Sequence, residues 1–505
     1  MFLRRTDVII IGSGFAGTLL GWILAKQGRS VTILDKARHP RFAIGESTTP
    51  TADFLLAHLA DRWELNELVP LVNYGRWVRE YPSLMRGLKR GFAYYRHEVG
   101  RRHRDSLDDR GSMLVAASAS DEWSDTQWLR SDVDHFFARN AVAAGCRIDE
   151  ECRMTFARFD SIDGEWTLRF DRKDGSQGEV RARFLVDSTG GTDFGETYLS
   201  NAEQSLSMRT ETGAMFGHFS AVGSMQPHSD FFLEDTENYF HPDASAQHQV
   251  TEEGWYWMIR FDHGCTSVGL VQPTCKWPVG LAPRNAMDYW QSQLARYPTI
   301  RSMMEHSVLE APANGLRYQP RINRKLKYAS GPGWVALPTT VGFVDPLHST
   351  GIAHALSGVL RVADILLDTK LSSEKIQSYS NAVSREIDWI DTLVAGCYLG
   401  LPSFQRFLAY SCFYFVSAIA FEETLVRDPG HWNEGYMLSR CNALHDRVEP
   451  IYVQLLNGHL ISDRDCHEAI RRAIEPWNRI GLLEPSRGYR FAHTAPPKYL
   501  LPQLG

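Results

Sequence analysis

Cysteine is scarce: 8 residues among 505, at positions 146, 152, 265, 275, 397, 412, 441 and 466, with no Cys-x-x-Cys pair. Scattered thiols in so long a chain exclude a disulfide-stapled scaffold and suit a reducing compartment, so a cytoplasmic location is expected. Long apolar runs are missing too. The longest uncharged one, Phe407–Phe421, falls short of the roughly 20 residues that span a bilayer and reads as a buried helix. No apolar leader precedes the first strand, so no signal peptide is expected. Positive charge is not in excess: 54 Lys and Arg stand against 60 Asp and Glu, a formal net charge of −6. Neither nucleic acid nor an anionic membrane surface is therefore expected as a partner. The 18 histidines are dispersed and none stands in a His-x-x-x-His spacing, so no metal is expected. No Gly-x-Ser-x-Gly elbow argues for hydrolase chemistry. No internal repeat or low-complexity tract occurs. With 43% hydrophobic and 23% charged residues, the composition excludes disorder.

At roughly 150 residues per domain the length predicts two or three units. Asp7–Ile11 is a β-branched run ending at Gly12, helical spacing follows from Phe15 to Gln27, and Ser30–Leu34 is a second apolar run closed by Asp35. Between strand and helix stand Gly12, Gly14 and Gly17, a G-x-G-x-x-G turn that also contains Ala16. The first glycine permits the turn, the second admits a pyrophosphate, and the third lets helix and strand pack closely. Asp35 can accept from a ribose hydroxyl. The helix tip adds unpaired N–H groups and positive potential for phosphates. FAD and NAD share this fingerprint, and spacing alone does not separate them.

Further along, Ser131–Ala144 reads as a helix, and Trp166–Phe170 and Val180–Val186 as strands, the latter closing on Asp187-Ser188-Thr189-Gly190. Gly213–Val271 alternates as an antiparallel sheet does, Gly333–Leu337 is another strand, and Gly351–Leu367 a helix. Helices are expected beyond Leu371 to the C-terminus. His97–Asp125, with its Arg101-Arg102-His103-Arg104 run, reads as an exposed insertion.

Three downstream segments separate the cofactors: Gly45-Glu46-Ser47-Thr48-Thr49-Pro50, Trp255-Tyr256-Trp257-Met258-Ile259, and Gly342-Phe343-Val344-Asp345-Pro346-Leu347-His348-Ser349-Thr350-Gly351-Ile352. With the N-terminal fingerprint they resemble the flavin-dependent halogenases, within the FAD monooxygenase-like folds, from about Thr6 to Leu367. The Trp-x-Trp-x-Ile signature of that family ordinarily ends in Pro, where this chain has Arg260. The resemblance implies an α/β protein. Its discontinuous Rossmann-like FAD-binding domain takes residues 1–80, 126–195 and 330–370. An antiparallel-sheet substrate domain takes 81–125 and 196–329, and a helical region runs over 371–505.

In that family reduced FAD and oxygen give a flavin hydroperoxide that a bound halide attacks. The hypohalous acid then crosses a tunnel to an essential lysine, which presents the electrophile to an aromatic substrate. The match places that lysine at Lys89. Its ammonium can hydrogen-bond hypohalite, or its amine, if desolvated, can form a haloamine; a surface lysine beside Arg90 is the alternative reading of the residue alone. Chloride or bromide would sit on the N–H groups of Thr350 and Gly351, where a helix tip suits an anion; Ser349 or Thr350 would equally be a plain N-cap. Ser349 would lie near the lysine. FAD would touch Ser47, Thr48, Arg130, Asp345 and Ile352, along with Gly12, Gly14, Ala16, Gly17 and Asp35. Trp255 and Trp257, two apart on a strand and facing one way, would wall the flavin chamber; filling a core is the alternative. His348 stands where tryptophan-type members carry glutamate. That points to a phenol- or pyrrole-type member, with His348 as a base for a phenolic substrate or simply a satisfied histidine. No second G-x-G-x-x-G follows, which fits FADH2 delivery by a separate flavin reductase. The expected product is a halogenated aromatic of secondary metabolism, as in antibiotic biosynthesis. The substrate, its free or carrier-tethered state, the halide and a homodimer against a monomer are left open. Two rival readings stand beside this one: an FAD-dependent monooxygenase or oxidoreductase of the same fold, and a non-catalytic flavin-binding protein with Asp391–Tyr436 as a docking surface.

Overall fold

A computed structural model describes residues 2–105, 111–232, 239–428, 430, 435–459, 462–484 and 489–500. Two large sheets organise the chain. In the first, the strands Arg147–Asp149, Val31–Leu34, Phe2–Ile11, Gln177–Asp187 and Trp334–Ala336 lie side by side and parallel. Ile10 pairs with both Ile33 and Val186. Val8 to Ile11 are all buried, as a parallel sheet covered on both faces requires. The helices Phe15–Lys26 and Arg130–Ala143 pack on each other, and Gly351–Leu367 packs against the first of them. The hairpin of Cys152–Asp160 and Glu165–Arg172 extends the sheet antiparallel from Gln177–Asp187.

Among the described residues the second sheet has nine strands. Thr212–Ser220, Thr266–Pro273, Gly254–Arg260 and Ser245–Thr251 run antiparallel to their neighbours. Ser245–Thr251 then pairs parallel with Gly91–Arg96, so the sheet is mixed where the alternation of 213–271 suggests a purely antiparallel one. Alternation divides the cores: Trp255 and Trp257 face the large core shared with the first sheet, whereas Tyr256 and Met258 face a smaller one with Trp290 and Met303.

The reading of His97–Asp125 as an exposed insertion is corrected. Ser112–Ala116 is a buried strand of the second sheet, and Asp125–Trp128 pairs with Arg86–Lys89. His103, inside the arginine run, is buried; its main-chain N–H donates to Thr299 Oγ1 at 2.7 Å. The solvated arginines mask the inward face of the segment. Residues 106–110 of it lie outside the described residues.

Four long helices, Ser373–Gly400, Phe404–Arg427, Asn442–Leu456 and Asp463–Ile474, make up most of the C-terminal region. Phe404–Arg427 is the one described helix long and apolar enough to cross a membrane, and most of it is buried against its neighbours. The helical expectation for this end misses a strand: Arg490–Phe491 adds parallel to Leu114–Val115 at the edge of the second sheet. None of the eight cysteines is disulfide-bonded.

Candidate active site

The glycine turn differs at each of its three positions. Gly12 has φ +101°, and a Cβ there would stand 2.6 Å from the Ser188 oxygen. A Cβ on Gly17 would meet Ser188 Oγ at 2.3 Å and the Gly12 oxygen at 2.4 Å. Both are therefore fixed by packing inside the protein. Gly14 has nothing nearer than the Arg130 guanidinium at 3.9 Å, so here the main chain is open to a bound group. Ala16 is buried on the first turn of the helix.

Arg130 bridges this turn and the Gly45–Pro50 segment. Its guanidinium makes two bonds to Asp134 (2.8 and 2.9 Å), donates to the oxygens of Ile44 and Gly45, and lies over the Phe15 ring. Asp35 accepts from Ser13 N and Oγ at 2.6 and 2.8 Å and from Ala37 N at 2.7 Å. Burial would raise its pKa, but Arg41 at 3.0 Å and these donors outweigh it and keep the carboxyl below its ordinary value.

Several buried polar atoms nearby have no partner: Ser47 Oγ, both amide atoms of Gln127, and Asp187 Oδ2. Ser47 and Gln127 face each other across an antiparallel bridge. Orphaned buried polar groups are costly, and a ligand carrying pyrophosphate, ribityl hydroxyls and ring amides satisfies such a set. The donors present fit FAD. Thr48 differs from expectation: its Oγ1 donates to the Thr126 oxygen and accepts from Thr126 N, so the side chain is occupied within the protein. Burial pushes Asp187 up to about 7.

At the tip of the Gly351–Leu367 helix, Ser349 adopts φ +53° and no side chain caps the helix, Thr350 included. The first N–H groups are left to another acceptor. Beside Gly351 there is room, with only a Phe343 ring carbon within 4 Å, at 3.9 Å. Ile352 is buried behind it. Asp345 is tied down from three sides, accepting from Thr212 Oγ1 at 2.7 Å, Tyr398 Oη at 2.9 Å and Leu347 N at 3.0 Å. Burial nonetheless lifts it to about 7. Tyr398 in turn accepts from the Trp255 indole at 2.8 Å, while Trp257 donates to Ser267 Oγ at 3.1 Å. The two indoles are 6.2 Å apart.

His348 is buried and stacks flat on Tyr414, with centroids 4.3 Å apart. Its Nε2 lies 3.6 Å from Cys397 Sγ and its Nδ1 has no partner. Burial first, and His248 second, hold its pKa well below the ordinary value, so the ring is neutral.

Lys89 is completely buried. Its Nζ donates to the main-chain oxygen of Thr48 and sits over the Phe92 ring, 4.0 Å from the centroid. Among the described residues it makes no ion pair. Burial brings its pKa down to about 8, against the opposing pull of Asp125, Asp53 and Glu422. Glu422 accepts from Thr51 N and Oγ1 and is itself pushed by burial to about 8. Sequence reasoning missed Tyr398, Glu422, Asp125 and Lys498, because each reaches the site from a distant segment, and Asp53, which lies just beyond the Gly45–Pro50 segment and in no motif.

A dinucleotide turn, a lysine buried in the adjoining β-structure and an uncapped helix tip define an FAD-binding enzyme of Rossmann type. Comparison with known proteins narrows the class. Residues 128–399 match the tryptophan halogenase family, and residues 10–61 match an NAD(P)-binding Rossmann-like domain. The chain belongs to that halogenase family; it is a flavin-dependent halogenase with FAD as cofactor. It is 28% identical to a tetracycline 7-halogenase of Kitasatospora aureofaciens, over 88% of this chain and 79% of that protein. It is 26% identical to the monodechloroaminopyrrolnitrin halogenase PrnC of Pseudomonas fluorescens, over 83% and 72%. Halogenase PltM, crystallised with phloroglucinol and FAD, shares the fold: TM-score 0.85 at 24% identity, covering 96% of this chain and 99% of that one.

Proposed function

We propose that this enzyme halogenates an electron-rich, phenolic small molecule through Lys89, using hypohalous acid made from chloride or bromide. The observation that carries the reading is the burial of Lys89 without a counter-ion, which brings its pKa near working pH. When bound and reduced, FAD would supply the two electrons and two protons with which dioxygen, halide and one further proton become hypohalous acid and water. The uncapped N–H groups at Thr350 and Gly351 hold the halide, with Ser349 presenting that turn. Arg130, Gly14, Ser47, Asp35, Asp345 and Ile352 hold and orient the cofactor. Trp255 and Trp257 keep substrate from the flavin chamber.

Near pH 8 about half of Lys89 is the free amine. Its lone pair attacks the halogen of hypohalous acid: the N–X bond forms, the O–X bond breaks, and water leaves with the amine proton. The aromatic carbon then takes the halogen and loses a proton, which regenerates the amine. His348, neutral and with Nδ1 free, accepts the substrate hydroxyl. A separate flavin reductase provides FADH2.

The test is to combine enzyme, FAD, a flavin reductase, NADH, bromide and a panel of phenols, and to look for halogenated mass. Halide-dependent bromophenol supports the reading; hydroxylated product without halide dependence contradicts it. PrnC and the tetracycline halogenase, by their names, act on aromatic natural products, and phloroglucinol in PltM is a phenol. These favour a phenol- or pyrrole-type substrate over free tryptophan, and the phloroglucinol in PltM favours the phenol.

A further inference from the structure

The C-terminal tail brings a second buried lysine into the neighbourhood of the first. Arg490–Phe491 pairs with the Ser112–Ala116 strand, and Thr494 N and Ala495 N continue the contact by donating to the oxygens of Ala116 and Ala117. The chain then turns inward and buries Lys498. Its Nζ bonds Asp125 Oδ1 at 2.8 Å, the Asp53 carboxylate, and the Val72 oxygen at 3.4 Å. Asp125 is also the residue that pairs with Lys89 across the two-stranded ladder. A lysine beside a carboxylate on the facing strand ordinarily pairs with it. Here Lys89 turns instead to a neutral carbonyl and a ring face, and the tail's lysine takes the acid.

We propose that Lys498 is a positioning residue for Lys89: it occupies the counter-charge of Asp125 and leaves the Lys89 amine free to carry halogen. This rests on the reading of Lys89 as the halogen carrier. Charge accounting supports it. The groups acting on Lys89 are Asp125 opposite it, Asp53 from the Pro50–Arg62 helix, Glu422 from the Phe404–Arg427 helix, His248 from the neighbouring sheet strand, and Lys498 from the tail. Burial, with Asp125 adding and Lys498 opposing, drives Asp53 far above its ordinary value. Glu422 is protonated below about 8, and burial keeps His248 neutral, at about 4. Lys498 Nζ bonds both the Asp53 and the Asp125 carboxylates, so its positive charge stands against the pair.

The measurement is the titration of Lys89 in apo-protein labelled with lysine 13Cε, its resonance assigned by loss in Lys89→Arg. Halogenation per FADH2 oxidised is followed over the same pH range. Wild type is expected to titrate near 8. In Lys498→Met, Asp125 is left facing Lys89 across the ladder. The titration and the acid limb of product yield both move up by about one unit, roughly a tenfold loss of amine at pH 7, while hypohalite released to a soluble trap does not fall. Lys498→Arg retains the charge and stays near wild type. Asp125→Asn, with Lys498 in place, moves both readings down; should Lys498→Met fail to fold, Lys498→Gln, which also removes the charge, is read in its place with the same upward shift expected. An unmoved Lys89 titration in the folded variants overturns the proposal. Undiminished halogenation by Lys89→Ala overturns instead the reading beneath it.

Discussion

Tyr398, on the last turn of a helix in the C-terminal region, donates its phenol hydrogen to Asp345 at 2.9 Å and accepts the Trp255 indole hydrogen at 2.8 Å. One hydroxyl thus joins the segment that leads to the helix tip, the wall of the proposed flavin chamber, and the helical region that covers both. Tyr398→Phe leaves the ring in place, unpairs the Trp255 indole N–H and removes one of the three donors to Asp345. It should cost about 1–3 kcal/mol, read as a lower Tm of apo-protein, and weaken FAD in fluorescence titration. Unchanged Tm and Kd would show that the relay carries no energy.

The glycine turn separates folding from binding. Gly12→Ala places a methyl group 2.6 Å from a main-chain oxygen at a positive φ and should give little folded protein. Gly14→Ala meets nothing closer than 3.9 Å; its Tm should stay within about 1 °C of wild type while FAD affinity falls at least tenfold, about 1.4 kcal/mol. Equal FAD affinity in Gly14→Ala would remove the pyrophosphate from this turn.

The halide site has its own test. Gly351→Ala adds a methyl group to open space at the helix tip, so the fold should persist. The KM for bromide should rise at least fivefold, with FAD binding unchanged, because the added methyl crowds an anion held on those N–H groups. A bromide KM equal to wild type would place the halide elsewhere.

Glu422 predicts a pH dependence of stability. Its pKa is raised from the model-compound value of 4.5 to about 8 by burial, so the folded state holds a proton that the unfolded chain loses above 4.5. Stability from this group is complete below pH 4.5 and declines as pH rises through 8. Between pH 6 and 9 it should cost about 1–3 kcal/mol. Glu422→Gln keeps an acceptor for Thr51 and has no proton to lose, so its Tm should fall less over that interval. Parallel curves for the two proteins would reject the assignment.

What was legible in the sequence was local. The first strand, glycine turn, helix and second strand follow from spacing alone, and the helix at Gly351–Leu367 was readable to the residue. Lys89 follows from the family resemblance; its burial and lack of an ion pair among the described residues do not, since an Arg90 neighbour reads as surface. The bond from Lys498 to Asp53 spans 445 residues, and no periodicity encodes a contact of that separation. The arginine run at 101–104 misled for a related reason: charge on one face concealed the buried His103 on the other. The N-cap at Ser349 or Thr350 was the ordinary expectation for those residue types, and the structure makes neither bond.

The central claim is that the buried Lys89 amine carries the halogen to the substrate. Its most direct measurement compares Lys89→Ala with wild type under identical supply of FADH2, oxygen and bromide, counting both halogenated phenol and hypobromite caught by a soluble trap. The account predicts normal FAD binding, hypobromite formation at the wild-type rate, and phenol halogenation down at least a hundredfold. Halogenated phenol at an undiminished rate would contradict it.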